Sequence, residues 1–420
     1  MKRLIEPSVP FGTIKAIASK SAAHRLMICA AFADTETKIR CEETNKDIEV
    51  TAECLSALGA KIRREAPFYI VSPIKELRHG ALLNCNESGS TLRFLIPVAA
   101  AIGADADFLM AGRLPERPLS PLCEELEAHG IRFTEAGSNP LSCRGSLSGS
   151  CFKIAGNISS QFISGLLFAL TLMKSDATLE ITGSIESAPY IDMTVDALRI
   201  FSAEPQKIGN KYIIKGNTAL VSPESIDVEG DWSNAAFPLS LGAIGEGNIS
   251  VCGLDPNSHQ GDRAIVTLLE RFGANIEFRN GTYTVSRGNL CGIDIDASQI
   301  PDLVPVLATV ASVAKGETKI YGAARLRIKE SDRLATTTAM LSALGADIRE
   351  LDDGLIINGK PNLSGGAVSS FNDHRIAMSA AVASCVCKSC VTVDGAEATS
   401  KSYPAFWEDF QSLKIKSSII

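Results

Sequence analysis

The stretch Leu344-Gly345-Ala346-Asp347-Ile348 echoes Leu58-Gly59-Ala60-Lys61-Ile62. The phrase returns as His129-Gly130-Ile131-Arg132-Phe133 and Phe272-Gly273-Ala274-Asn275-Ile276, with a weaker copy at Phe201-Ser202-Ala203-Glu204-Pro205. Its central positions, 59, 130, 202, 273 and 345, stand 71, 72, 71 and 72 residues apart. Each copy reads as a helix that ends at Gly, where a left-handed residue is easiest to place, followed by a strand. An amphipathic helix precedes it, as Ile48, Ala52, Leu55 and Leu58 show at helical spacing. A hairpin partner keeps the same period: Tyr69-Ile70-Val71, Leu141-Ser142-Cys143, Tyr212-Ile213-Ile214, Tyr283-Thr284-Val285 and Leu355-Ile356-Ile357.

A second phrase, a polar cap opening an apolar helix, has copies centred on Lys20, Gly89, Ser160, Trp232, Asp302 and His374. The steps are 69, 71, 72, 70 and 72 residues, in register with the first phrase. These helices are apolar nearly all round and belong inside; the amphipathic set belongs outside. Six α/β units with buried helices do not make a thin solenoid, so two three-unit domains are expected. The turn-rich run 222–227 reads as the crossover between them. The last unit lacks its closing hairpin, which the segment 3–11 can supply. The expected division is therefore residues 14–224 for one domain, with 1–13 and 225–420 for the other.

Composition is ordinary for a soluble globular protein that can bury a real core. Of 420 residues, 45% are hydrophobic and 21% charged, and no apolar run approaches the roughly 20 residues that span a bilayer. The run 94–102 is the longest and contains Pro97. Charges at Lys2 and Arg3 precede any apolar stretch of signal-peptide type, and twelve scattered cysteines suit a reducing compartment, so a cytoplasmic protein is expected. A formal charge of −7 argues against a general nucleic-acid or membrane binder and leaves room for a local basic site.

That local site is visible at the helix starts. A helix N-terminus presents unpaired N–H groups and partial positive charge, so each is an anion site in waiting. The six starts carry Lys20, Ser21, Gly89, Ser90, Ser159, Ser160, Gln161, Asp302 and Arg375. Taken singly, Ser and Asp there are ordinary caps; six equivalent ends in one repeat favour a cleft for multiply charged anions. Arg25 and Arg93 follow one turn into their helices, Arg117 sits in the Pro-bounded loop Leu114-Pro115-Glu116-Arg117-Pro118-Leu119, and the densest run is Arg325-Leu326-Arg327-Ile328-Lys329-Glu330-Ser331-Asp332-Arg333. Arg325, Arg327 and Lys329 alternate like one face of a strand, and guanidinium forks suit phosphate and carboxylate.

Read together, several stretches resemble the 5-enolpyruvylshikimate-3-phosphate synthase family. They are Ser19-Lys20-Ser21-Ala22-Ala23-His24-Arg25, Ser88-Gly89-Ser90-Thr91-Leu92-Arg93-Phe94, Leu114-Pro115-Glu116-Arg117-Pro118-Leu119, Ser159-Ser160-Gln161-Phe162, Pro189-Tyr190-Ile191-Asp192, Lys329-Glu330-Ser331-Asp332-Arg333 and Asp373-His374-Arg375-Ile376-Ala377-Met378. The resemblance covers nearly the whole chain in order. It implies an α/β fold of two similar domains, each of three βαβαββ units (an inside-out α/β barrel), with the active site in the interdomain cleft. It implies transfer of the enolpyruvyl group of phosphoenolpyruvate to the 5-hydroxyl of shikimate 3-phosphate, with release of phosphate and without metal or organic cofactor. It also implies a target for glyphosate, and a monomer is expected.

Carried over residue by residue, the resemblance assigns Lys20, Ser21, Arg25, Ser159, Ser160, Gln161, Ser187, Asp302 and Lys329 to shikimate 3-phosphate. It assigns Lys20, Gly89, Arg93, Arg117, Gln161, Arg333, Arg375 and Lys401 to phosphoenolpyruvate. Asp302 is the expected base for the hydroxyl and Glu330 the proton carrier for the methylene carbon, with Lys20 also catalytic. Two positions depart from the family's best-known members, which have Asn where this chain has Glu87 and Arg325. A related activity, that of UDP-N-acetylglucosamine 1-carboxyvinyltransferase, uses a Cys in a Gly-rich loop where this chain runs 114–118; Cys123 falls further along. A non-catalytic anion-binding relative of the same repeat would leave Asp302 and Glu330 incidental.

Two further groups invite chemistry. Cys385, Cys387 and Cys390 suggest a metal site, yet their register matches Ala99–Ala101 and 311–314 in other units, so buried small residues are expected. Of the five histidines, His24 and His129 read as structural and only His374 as near the site.

Overall fold

In the computed structural model, residues 1–135 and 137–420 are described. All five copies of the helix-ending phrase turn through positive φ: Gly59 at 123°, Gly130 at 97°, Ser202 at 64°, Gly273 at 103° and Gly345 at 90°. The backbone keeps its left-handed turn even where the Gly has been lost, and that is why the weak copy stays in register. The second phrase opens helices Lys20–Ala31, Gly89–Ile102, Ser160–Leu172, Trp232–Ile244 and His374–Ala383. In the fifth copy a 3₁₀ turn, Pro301–Leu303, leads into Val304–Ala311.

The contacts divide the chain into Lys20–Val228 and a discontinuous unit of Met1–Ser19 with Glu229–Ile420. Each unit carries three four-stranded sheets among the described residues. In four of the six sheets of the described residues, the two parallel strands are joined by a buried helix, with antiparallel pairing beside them. Cys151–Ala155 thus pairs in parallel with Ala177–Thr182 across Ser160–Leu172, and Lys211–Ile214 pairs antiparallel to the latter. An outer helix such as Ala188–Ile200 links the two halves of each motif.

The division differs from the expected one because two leading strands are exchanged. Gly12–Lys15 precedes the first buried helix, yet it pairs with Ile249–Cys252. Ser225–Asp227 precedes Trp232–Ile244, yet it pairs with Thr37–Arg40. The boundaries therefore fall at 19/20 and 228/229 rather than 13/14 and 224/225. In the last sheet, Lys2–Ile5 lies between Val391–Asp394 and Ser417–Ile419, where the other sheets place a hairpin strand.

The cores sit around the buried helices. In Trp232–Ile244 every residue except Ser233 is buried, and all of Val304–Ala311 and His374–Ala383 is buried. The other unit packs Gly89–Ile102 on Ser160–Leu172 so closely that a Cβ at Gly165 would lie 2.4 Å from the Arg93 carbonyl oxygen. Only Gly permits that approach. Two local expectations fail. Residues Ala324–Ile328 form a 3₁₀ turn rather than a strand, so Arg325, Arg327 and Lys329 share no strand face. Cys387 is buried but Cys385 is half-buried and Cys390 exposed, so the small-core reading fails at Cys390. Among the described residues, no helix is long and apolar enough to cross a membrane.

Candidate active site

In the unit Lys20–Val228, the helix starts gather the basic residues. Lys20 Nζ pairs with Asp47 Oδ2 at 3.0 Å, each side chain 20% exposed. Arg93, buried on Gly89–Ile102, donates Nη1 to Gln161 Oε1 at 2.9 Å, and Gln161 Nε2 donates to Ser90 Oγ at 2.9 Å. A Cβ built on Gly89 would meet Arg117 Nη1 at 2.8 Å and Arg93 Nη1 at 3.1 Å. Two guanidinium groups thus crowd one helix N-terminus, where backbone and side-chain donors suit an oxyanion. The caps are neutral: Ser88 Oγ accepts from Thr91 N at 3.3 Å and Ser159 Oγ from Gln161 N at 3.3 Å.

Other expected residues of this unit stand differently. Arg25 is buried, with Nε on Thr194 Oγ1 at 2.8 Å, Nη1 on the Ser21 carbonyl at 2.7 Å and Nη2 on the Tyr190 carbonyl at 2.7 Å. It also lies 5.0 Å over the Phe94 ring. Its donors serve the scaffold, joining two helices beside Lys20 and Ser21. Ser160 and Ser187 are buried, and Ser187 adopts φ 55° at the head of Ala188–Ile200. His24 bonds Thr51 Oγ1 at 2.6 Å; burial, then the charges of Lys20 and Arg25, hold its pKa well below the ordinary value, so it is neutral and structural. His129 stacks on Phe152 at 4.0 Å.

In the other unit the cations are interleaved with acids. Asp302 Oδ1 accepts from Arg333 Nη1 at 2.7 Å and lies 3.6 Å from Lys329 Nζ; Arg375 Nη2 is 3.4 Å from Oδ2. Burial alone would raise the Asp302 pKa, but Arg375, Lys329 and Arg333 outweigh it and hold the carboxyl well below the usual range. Arg333 is 1% exposed and donates also to Glu330 Oε2 at 2.8 Å and Asp373 Oδ2 at 2.8 Å. Burial would lower its pKa; Asp373, Glu330 and Asp302 raise it instead, so it stays charged. Burial lowers Lys329 to about 8, only partly offset by Asp302.

Asp302, Lys329, Glu330, Arg333 and Arg375 therefore form one contact set. Lys401 Nζ reaches the Asn372 carbonyl at 2.8 Å, on the turn before Asp373. His374 lies 3.9 Å from Asp373 Oδ1. Arg325 donates to the Ser298 carbonyl at 2.9 Å, and Arg327 is held by Asp332 and Glu350 at 3.0 and 2.7 Å. Sequence reasoning read Asp373 only as a cap and missed Asp47, Thr194 and Ser331, whose Oγ donates to Asp373 Oδ2 at 2.9 Å. No local spacing signals these partners; Asp47 meets Lys20 from 27 positions away. Among the described residues, no group of three or more His, Cys, Asp or Glu is arranged to hold a metal ion.

A βαβαββ repeat whose buried helix starts carry Arg, Lys and ionised carboxylates defines a class of α/β enzyme built for small multiply charged anions. The family model for EPSP synthase (3-phosphoshikimate 1-carboxyvinyltransferase) matches residues 8–410. The chain is 45% identical over 417 residues to the 3-phosphoshikimate 1-carboxyvinyltransferase of Clostridium perfringens (strain 13 / Type A), covering 98% of each chain. It is 37% identical over 417 residues to that of Methanocorpusculum labreanum, again covering 98% of each. The solved EPSP synthase from Acinetobacter baumannii superposes with a TM-score of 0.82 at 25% identity, covering 100% of both chains. The enolpyruvyl transferase NikO from Streptomyces tendae shares the fold, with a TM-score of 0.81 at 16% identity over 99% of this chain and 98% of that one. The chain belongs to the EPSP synthase family.

Proposed function

We propose how this chain carries out the family's reaction, transfer of the enolpyruvyl group of phosphoenolpyruvate to the 5-hydroxyl of shikimate 3-phosphate in the shikimate pathway. The observation that carries the residue roles is the set Asp302, Lys329, Glu330, Arg333 and Arg375, in which one carboxylate meets three cations and a second shares one of them. Lys20, Ser21, Ser159, Ser160, Gln161 and Ser187 hold shikimate 3-phosphate together with Asp302 and Lys329. Arg25 supports that set through the Ser21 and Tyr190 backbone. Lys20, Gly89, Arg93, Arg117, Gln161, Arg333, Arg375 and Lys401 hold phosphoenolpyruvate.

The chemistry needs a base and an acid at different atoms. The 5-hydroxyl loses a proton as it attacks the carbon that bears the phosphate oxygen, and the methylene carbon gains one. The tetrahedral intermediate then loses a proton from its new methyl group and expels phosphate, which restores the double bond as the enol ether. Asp302 takes the hydroxyl proton and Glu330 serves the methylene carbon. The cations that now keep Asp302 ionised also weaken it as a base. Phosphoenolpyruvate supplies Arg333 and Arg375 with other anions, which releases Asp302 for its task. The same cations stabilise the carboxylate and phosphate charges through the reaction. No metal or organic cofactor takes part in this scheme, and the enzyme works as a cytoplasmic monomer.

A phosphate-release assay tests the reading. Phosphate should appear with phosphoenolpyruvate and shikimate 3-phosphate. Release with UDP-N-acetylglucosamine in its place would move the chain to the related activity, and release with neither would leave an anion-binding scaffold.

A further inference from the structure

Arg375 has a second support that lies off the reacting carboxylates. Its Nη1 donates to the Asp302 carbonyl at 3.1 Å, and its Nη2 donates to Ser233 Oγ at 2.7 Å. Ser233 in turn donates its hydroxyl proton to Asp262 Oδ2. Ser233 is the first residue after Trp232 on the buried helix Trp232–Ile244, and is the one residue of that helix left half-buried. Asp262 is 1% exposed in the 3₁₀ turn Gly261–Ala264. The turn is pinned to the same helix start, because Gln260 Oε1 accepts from Trp232 N at 3.0 Å and Gln260 Nε2 donates to the Gly230 carbonyl at 2.8 Å.

A hydroxyl has one proton. With that proton committed to Asp262, the Ser233 oxygen can only accept, and it faces Arg375 as a fixed acceptor polarised by a carboxylate behind it. We infer that Ser233 and Asp262 are positioning residues that set the Arg375 fork for the phosphoenolpyruvate anion. The carboxylate stands one hydroxyl away, so it orients the guanidinium without competing for the face that meets substrate. Asp302 does compete, since it contacts Arg375 directly and is itself needed for proton transfer. A direct Asp at position 233 would neutralise Arg375; a Ser backed by a buried Asp holds it and leaves its charge available.

This inference rests on the assignment of Arg375 to phosphoenolpyruvate, so Arg375→Gln is measured beside the relay variants. Ser233→Ala and Asp262→Asn should each raise KM for phosphoenolpyruvate roughly tenfold, the size of one lost hydrogen bond to a charged group. KM for shikimate 3-phosphate and the melting temperature should stay near the parent values. Ser233→Thr, which keeps the hydroxyl, should restore most of the lost affinity. The double variant should be no worse than either single one, because the two residues act in series. Equal rises in both KM values, no rescue by Thr, or additive losses in the double variant would each overturn the relay. A normal Ser233→Ala beside a damaged Arg375→Gln would remove the relay and keep the assignment of Arg375. An unaffected KM for phosphoenolpyruvate in Arg375→Gln would remove both. Should Asp262→Asn fail to fold, the Ser233→Ala and Ser233→Thr pair still decides, since Ser233 is only half-buried.

Discussion

The same register position is filled differently in the two units. Before the buried helices of Lys20–Val228 stand Ser19, Ser88 and Ser159; before two of the three in the other unit stand Asp231 and Asp373. Ser88 and Ser159 cap with a neutral oxygen, which leaves the positive helix end unspent. Asp231 and Asp373 cap with a carboxylate, to Asn234 N at 2.7 Å and to Arg375 N at 2.9 Å, and so cancel that positive end. The second unit then restores positive charge with Arg333, Arg375 and Lys329. One half offers anions neutral-capped helix ends with Lys20, Arg93 and Arg117 beside them. The other offers cations already balanced by Asp302, Glu330 and Asp373, a balance that an arriving anion disturbs.

The largest test breaks the balanced side. Asp373 is fully buried, holds Arg333 through Nε and caps His374–Ala383. Asp373→Ala should destabilise the protein by about 3–5 kcal/mol, because it strips a principal partner from a buried guanidinium. Asp373→Asn keeps a capping oxygen and should cost less. Ser159→Ala, at the equivalent place in the neutral unit, should cost only about 1 kcal/mol. Denaturant unfolding of the three variants compares them; similar losses for Asp373→Ala and Ser159→Ala would mean that capping alone sets both.

Glu330→Gln probes the acid that shares Arg333. Gln is nearly isosteric and can still accept from Arg333 Nη2, so substrate affinity should change little. Turnover should fall by roughly 10²-fold or more, the usual worth of a general acid–base group. Near-normal turnover would take Glu330 out of the mechanism. By contrast, Ser at positions 385, 387 and 390 should leave activity intact. Only burial of a polar group at Cys387, whose thiol burial pushes up to about 12, should lower stability. Loss of activity that zinc restores would overturn that reading.

The fold was legible because two phrases recur in one register, and the backbone obeys the register even at Ser202. The exchange of leading strands was not legible. Gly12–Lys15 and Ser225–Asp227 each precede a buried helix, and nothing in a strand's own residues says which sheet edge it joins. The site divides the same way. Residues at helix starts, such as Gly89, Gln161 and Arg375, announce themselves by position. The side chains that hold the site, Asp47 on Lys20, Thr194 on Arg25 and Asp262 on Ser233, are recruited by packing from 27, 169 and 29 residues away, beyond any local pattern. The charged run 325–333 misled for a related reason. Its alternation mimics a strand, but Arg325 and Arg327 turn to carbonyls and to Glu350, and only Lys329, Glu330 and Arg333 enter the cluster.

A pH titration sharpens the contrast further. Burial brings Lys329 down to about 8, so its cation is present below that pH and is lost as the pH rises through it. If Lys329 must be charged to meet shikimate 3-phosphate, kcat/KM for that substrate, which reports the free enzyme, should fall roughly tenfold between pH 7 and 9. The bound anion favours the cation, so kcat should fall later. Lys329→Arg stays charged and should lose the fall; an identical profile in both proteins would assign the transition to another group.

The smallest change is a methyl group on the neutral side. Glyphosate is an anionic phosphonate longer than phosphoenolpyruvate, and it would compete for the residues proposed to hold that substrate. At Gly89 an added Cβ would meet Arg117 Nη1 at 2.8 Å and Arg93 Nη1 at 3.1 Å. Both are ends of flexible side chains, so the protein can accommodate the methyl by moving the two guanidinium groups outward by a few tenths of an ångström. Their displacement would weaken every anion slightly, whereas the methyl itself would obstruct the longer glyphosate more than phosphoenolpyruvate. Gly89→Ala should therefore raise the glyphosate inhibition constant at least tenfold, about 1.4 kcal/mol, with a smaller rise in KM for phosphoenolpyruvate. Competition kinetics on both proteins separate the two contributions. A common shift for inhibitor and substrate would assign the whole effect to Arg93 and Arg117, and only the excess on glyphosate measures discrimination by length.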